Sequence, residues 1–189
     1  SRCYKTWTYE GFEGEKSEVE VYSWAPYFEL YQDGKLVKKF KNKKSRNHFR
    51  TKLTYQPGEL KAIAYDENHN VIGETVLKTA GTTTKLIAVP EKDSYKAGEM
   101  AYVHFNITDE NGEAKHNKDE QLTITSIKGG KLKAFGNATT WNKVGYLTDS
   151  VKSYQGCTAA VVQMDGTGDL EITIKSETLG EVTAMVKLA

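Results

Sequence analysis

Residues 55–81, YQPGELKAIAYDENHNVIGETVLKTAG, decide the fold. Pro57-Gly58 is a turn pair and ELKAIAYD is a strand. Residues 67–70, Glu-Asn-His-Asn, make a hairpin loop, and VIGETVLKTA returns antiparallel to the first strand. The hairpin stops at AGTTTK, residues 80–85, a small and polar stretch with the composition of a short linker. Working toward the N-terminus, YFELYQDGKLVKKF reads as a second hairpin. Its tip is Asp33-Gly34, a dipeptide that accepts the positive φ angles of a two-residue turn. Before it, EVEVYSW puts Val19, Val21 and Ser23 on one face and Glu18, Glu20 and Tyr22 on the other. These strands make a small sandwich ending near Ala80.

Beyond the seam the period-two alternation restarts. KLIAV, AYVHFNIT, QLTITSI, GKLKAFG, CTAAVVQMD, LEITIKSETLG and EVTAMVKLA follow one another, each bounded by Gly, Asp or Asn. About seven short strands with turn signals every 8–12 residues is the signature of an immunoglobulin-like sandwich. The expected fold is all-β: two tandem β-sandwich (immunoglobulin-like) domains, residues 1–80 and 81–189, with no long helix.

Composition excludes several classes. Charged residues make up 27% against 38% hydrophobic, an ordinary soluble globular balance. A net charge of +1 supplies no global field for nucleic acid or an anionic membrane. The most basic run, KLVKKFKNKKSRNHFR at residues 35–50, reads as a solvated strand edge and loop, with a polyanion site as the alternative. No apolar run approaches the roughly 20 residues of a membrane helix. Cys3 and Cys157 are far apart in sequence and read as two unpaired thiols.

Catalytic signals are lacking. His48, His69, His104 and His116 show no metal-ligand spacing. His104 sits in an alternating strand and the other three in polar loops. Carboxylates abound, but in Gly-containing turns where turn formation is their expected role. A glycosidase pair instead needs one carboxyl raised by apolar burial and a second held nearby. No catalytic residue, cofactor or metal ligand is expected in this chain. What remains is aromatic. Trp7, Trp24, Tyr27, Tyr31, Trp141, Tyr146 and Tyr154 fall in or beside turns. Their rings suit carbohydrate stacking on the one hand, or inter-domain packing and core filling on the other. Trp7, Trp24, Tyr27, Tyr31 and Trp141 are the candidate contact residues, and Trp7, Trp24 and Tyr27 are expected to form a cluster facing a partner.

The segment TWTYEGFEGEKSEVEVYSWAPYFELYQDGKLVKK resembles the stretch that follows the catalytic barrel in family 2 glycoside hydrolases, the β-galactosidase and β-glucuronidase family. The matching residues are Trp7, Glu13-Gly14, residues 19–23, Ala25, Glu29-Leu30 and Asp33-Gly34-Lys35. YQPGELKAIAYDENHNVIGETVLKTAG is similar to the family's next strand pair. Residues 82–189 resemble a bacterial immunoglobulin-like domain of the invasin/intimin type, which also occurs in adhesins. One departure stands out: the family's corner Asn is Trp24 here. The resemblance implies a non-catalytic C-terminal piece of a bacterial, β-galactosidase-like enzyme, with both catalytic glutamates in the barrel. Its implied partner is that barrel, with carbohydrate and self-association as further possibilities. A carbohydrate-binding module and an adhesin-type repeat are the alternatives. The compartment, cytoplasmic or secreted and cell-surface, depends on sequence ahead of Ser1.

Overall fold

The computed structural model describes residues 4–42, 47–140 and 144–189. Cys3, Trp141 and residues 43–46 of the basic run lie outside the described residues. The chain divides into two compact units, Ser1–Ala80 and Gly81–Ala189, and among the described residues every regular element is a strand.

The first unit contains β1 (Lys16–Tyr22), β2 (Tyr27–Gln32), β3 (Lys35–Lys41), β4 (His48–Thr54), β5 (Glu59–Tyr65) and β6 (Val71–Lys78). A two-stranded sheet, β1-β4, and a four-stranded sheet, β3-β2-β5-β6, form it. The β2–β3 turn is as expected: Asp33 (φ 48°) and Gly34 (φ 74°) are both left-handed, and Gln32 pairs with Lys35 across the two-residue loop. Edge strand β3 carries Lys35, Lys38, Lys39 and Lys41, the charges that discourage pairing with another chain.

β4 is a correction to the sequence reading. His48 and Arg50 belong to a strand, not a loop, and that strand pairs with β1 along its whole length. Its alternation hides in the basic run: His48, Arg50 and Lys52 face outward while Leu53 is buried. The outward residues are themselves engaged, since Glu20 takes Arg50 Nε at 3.2 Å and His48 Nε2 at 3.1 Å. Phe49 meets Phe28 edge-on at 4.7 Å, and Phe28 stacks on Phe40 at 4.4 Å. Trp7, Leu53, Tyr55 and Leu60 make the second patch of core, flanked by Tyr9, Val19 and Leu77. At the corner beside Trp24, Ser23 Oγ accepts the Ala25 N–H at 3.1 Å.

The second unit is a two-sheet sandwich built from β7 (Lys85–Pro90), β8 (Ser94–Tyr95), β9 (Met100–Thr108), β10 (Gln121–Lys128), β11 (Gly130–Gly136), β12 (Ser150–Lys152), β13 (Cys157–Met164), β14 (Leu170–Ser176) and β15 (Gly180–Leu188). Sheet β12-β10-β14-β15-β8 faces sheet β11-β13-β9-β7. Alternation is strict where the core lies. Ala101, Val103, Phe105 and Ile107 of β9, Ala160, Val162 and Met164 of β13, and Leu170, Ile172 and Ile174 of β14 all point inward. The chain changes sheets between β10 and β11 at Gly129 (φ 72°). It changes sheets again between β7, antiparallel to β9, and β8, parallel to β15.

The Thr-rich seam has the composition of a linker, yet its residues are anchored. In the first unit Thr79 Oγ1 donates to Trp7 O at 2.6 Å, and Ala80 N donates to Thr8 Oγ1 at 3.0 Å. In the second, Gly81 N donates to Asp109 Oδ2 at 2.6 Å. Lys115 Nζ donates to Thr82 O at 3.0 Å and to Thr84 Oγ1 at 3.1 Å. Burial alone would raise the Asp109 carboxyl. The N–H groups of Gly81, Glu113 and Asn111, with the charge of Lys115, outweigh it and hold the group below the usual range.

Candidate functional site

Strand alternation sends Phe28 and Leu30 of β2 into the first unit's core, which turns Tyr27, Glu29 and Tyr31 to the opposite face. Register places Lys41 and Tyr65 on either side of Tyr27, and Lys39 and Ile63 on either side of Glu29. Around Tyr27 and Glu29 the outer face of sheet β3-β2-β5-β6 therefore collects three tyrosines, two lysines and one carboxylate, while farther along the same face Lys61 pairs with Glu74 at 2.8 Å.

Glu29 organises this face. Its Oε1 pairs with Lys39 Nζ at 2.8 Å, while Oε2 accepts from Tyr31 Oη at 2.5 Å and Tyr65 Oη at 3.0 Å. Bonding to Lys39 first, then Tyr31, overcomes burial and holds its carboxyl at about 2. The same bond pushes the Tyr31 hydroxyl above the usual tyrosine range, because ionising it would set two negative charges side by side. A lowered folded-state pKa contributes stability that is complete above the unfolded value of 4.5 and drains away as pH falls toward about 2. The Glu29 side chain keeps 18% of its surface exposed, so solvent screens part of this effect. Glu29→Gln should therefore cost the first unit about 1–2 kcal/mol at neutral pH. The gap to the parent chain should close below about pH 2. Urea titrations over a pH series read it, and a gap independent of pH would contradict the assignment.

Beside Glu29 lies a cleft of about 420 Å³ lined by Tyr27, Glu29, Lys39, Lys41, Tyr65 and His69, with Phe28 and Phe40. His69 stacks on Tyr27 with ring centroids 4.4 Å apart, and Lys41 Nζ lies 5.2 Å from the Tyr27 centroid. His69 reaches this position from a left-handed backbone (φ 61°). Asp66 fixes the loop: its Oδ1 accepts the N–H groups of Asn68 and Asn70, both at 2.8 Å, and its Oδ2 accepts Asn70 Nδ2 at 3.0 Å. Those bonds, the Asn70 side chain foremost, also lower the Asp66 carboxyl.

The sequence-derived contact residues separate. Tyr27 and Tyr31 share this face. Trp7 does not: it is 2% exposed, packs edge-on against Tyr9 and Tyr55, and donates Nε1–H to Gln56 O at 3.2 Å. The expected cluster of Trp7, Trp24 and Tyr27 facing a partner is thus corrected, because Trp7 fills its own unit's core. Trp24 is 73% exposed, and Trp141 lies outside the described residues. Sequence reasoning missed Glu29, Lys39, Lys41, Tyr65 and His69. Alternation in ELKAIAY signals the outward Tyr65, but only the pairing of β5 with β2 sets it beside Tyr27.

A second, more apolar groove in the other unit is lined by His104, Ala134, Tyr146, Cys157, Ala159 and Val161, with a volume of about 360 Å³. Burial, then the nearby Asp119 charge, pushes the free Cys157 thiol up and away from reactivity. Among the described residues no group of His, Cys, Asp and Glu is placed to hold a metal ion. No helix there is long and apolar enough to cross a membrane.

Comparison with known proteins bears on both units. Residues 14–73 match a domain of unknown function (DUF4982). Across 98% of its length the chain superposes on a glycosyl hydrolase family 2 member from Bacteroides cellulosilyticus, with TM-score 0.87 and 24% identity. A β-glycosidase from Bacteroides vulgatus aligns over 97% of the chain (TM-score 0.85, 19% identity), as does a β-glucuronidase from glycoside hydrolase family 2 (TM-score 0.80, 18% identity). The chain covers 24%, 24% and 19% of these three proteins, so it spans about a quarter of their length or less. No curated protein matches. Residues 86–185, more than half of the sequence and nearly all of the second sandwich, match the glycoside hydrolase family 2 C-terminal domain 5, and it is to this family that the chain belongs.

Proposed function

We propose that the chain is the non-catalytic C-terminal part of a bacterial family 2 β-glycosidase and that its role is structural: it packs on and supports the catalytic barrel of the same polypeptide. The match of residues 86–185 to a C-terminal domain of the family carries this reading. The chemistry of the carboxylates supports it. A glycosidase acid needs a pKa raised toward neutrality. The carboxyls of Glu29, Asp66, Asp109, Asp165 and Asp169 are displaced downward, away from that range. Each is engaged by a cation or by N–H and O–H donors and so is committed to holding a turn or a strand pair. A β-galactosidase is the parent that the sequence resemblance favours. Glucuronides stand beside galactosides as substrates to test, because one of the similar structures is a β-glucuronidase.

Purified chain should turn over neither a chromogenic β-galactoside nor a β-glucuronide, whereas the polypeptide extended upstream through the barrel should hydrolyse one of them. Turnover by the isolated chain that disappears on Glu20→Gln or Glu29→Gln would overturn the proposal.

A further inference from the structure

The cleft at Tyr27 is built more elaborately than a supporting surface requires. Its walls are aromatic: Tyr27 and Tyr65 are direct cross-strand partners, and His69 lies against Tyr27 at an interplanar angle of 30°. Such rings present flat faces to the C–H side of a pyranose. His69 is preorganised, its left-handed backbone pinned by the bonds that Asp66 makes to Asn68 and Asn70. A loop that only had to reverse direction could take glycine at this position without strain. The cleft volume, about 420 Å³, falls in the range of small-molecule sites.

Charge narrows the occupant. The Glu29 carboxylate is already satisfied by Lys39 and two tyrosine hydroxyls. Lys41 lies over Tyr27, and among the described residues no carboxylate comes within 4.0 Å of its ammonium. Two lysines against one carboxylate leave the cleft with a positive charge in excess. The same lysines belong to the basic run whose alternative reading was a polyanion site.

We infer that the outer face of the first unit's four-stranded sheet binds an acidic glycan, with one uronic-acid-type pyranose seated against Tyr65 and the Tyr27–His69 stack and its carboxylate directed to Lys41. The ring stacks through its C–H face, its hydroxyls bond to the Tyr65 hydroxyl and Lys39, and its carboxylate supplies the anion that Lys41 lacks. This is a binding function separate from support of the barrel, and the isolated chain suffices for it.

Titration of the whole chain with a galacturonate trisaccharide and with a neutral galactose trisaccharide, followed by calorimetry, tests it. The acidic sugar should bind with Kd of about 0.1–1 mM and the neutral one about fivefold more weakly. Lys41→Gln should erase that difference. His69→Gly, which keeps the left-handed backbone, should weaken both sugars about tenfold while thermal melting stays unchanged. Equal affinity for the two sugars, no binding of the acidic one, or affinities indifferent to both substitutions would overturn the inference.

Discussion

Trp7→Ala should unfold the first unit and leave the second folded. Trp7 is 2% exposed and is the largest member of a core patch whose other buried residues are Leu53, Tyr55 and Leu60. It holds Tyr9 and Tyr55 in edge-to-face contact at 6.2 and 5.2 Å, and its backbone carbonyl takes the Thr79 hydroxyl that ties down the end of the unit. Truncating a buried tryptophan costs about 3–5 kcal/mol in lost transfer energy and cavity formation. A domain of this size has little more than that in reserve, since a small core barely offsets chain entropy. Trp24→Ala should stay within about 0.5 kcal/mol, because its ring is largely in water. Hydrogen exchange resolved by residue is the measurement. Protection should vanish across β1 to β6 in Trp7→Ala and persist in β7 to β15. Equal tolerance of the two substitutions would show that Trp7 is not the keystone of that core.

A comparable loss is expected in the second unit from a single methyl group. At Gly129 the chain leaves one sheet for the other with φ at 72°, a region that side chains enter at a cost of about 1–2 kcal/mol. A Cβ there would sit 2.3 Å from the Asp169 carbonyl oxygen and 2.8 Å from its carbon. Both are backbone atoms just ahead of β14 and cannot swing aside as a flexible side chain could. Strain and forced displacement together put Gly129→Ala at about 2–5 kcal/mol. Gly145→Ala is a fitting control, because a Cβ there meets nothing within 4 Å. Thermal unfolding of the second unit should drop sharply in the first variant and hardly move in the second. Similar melting of the two would refute the crowding argument.

Sequence alone determined the all-β character, most of the strands, the hairpin tip at Asp33-Gly34 and the lysine-blunted edge strand. These are local properties. Period-two alternation is written in consecutive residues, and a two-residue turn depends on whether two residues tolerate positive φ. The resemblance of the N-terminal segment to family 2 glycoside hydrolases was legible for the same reason, as it rests on contiguous motifs. Tertiary structure decided the rest. β4 looked like a loop because its outward face holds charges, and it became a strand only by pairing with β1 and laying Phe49 on Phe28. Trp7, beside a turn in the sequence, was expected to face a partner with Trp24 and Tyr27, yet residues of β4, β5 and the turn between them bury it from afar. The residues after Ala80 read as a linker, although buried Asp109 accepts the Gly81 N–H and buried Lys115 donates to Thr82 and Thr84. The cleft draws Tyr27, Lys41, Tyr65 and His69 from three strands and a loop, and no local pattern holds them together. Burial and proximity are set by which element covers or pairs with another, and that choice is made between residues far apart in the chain.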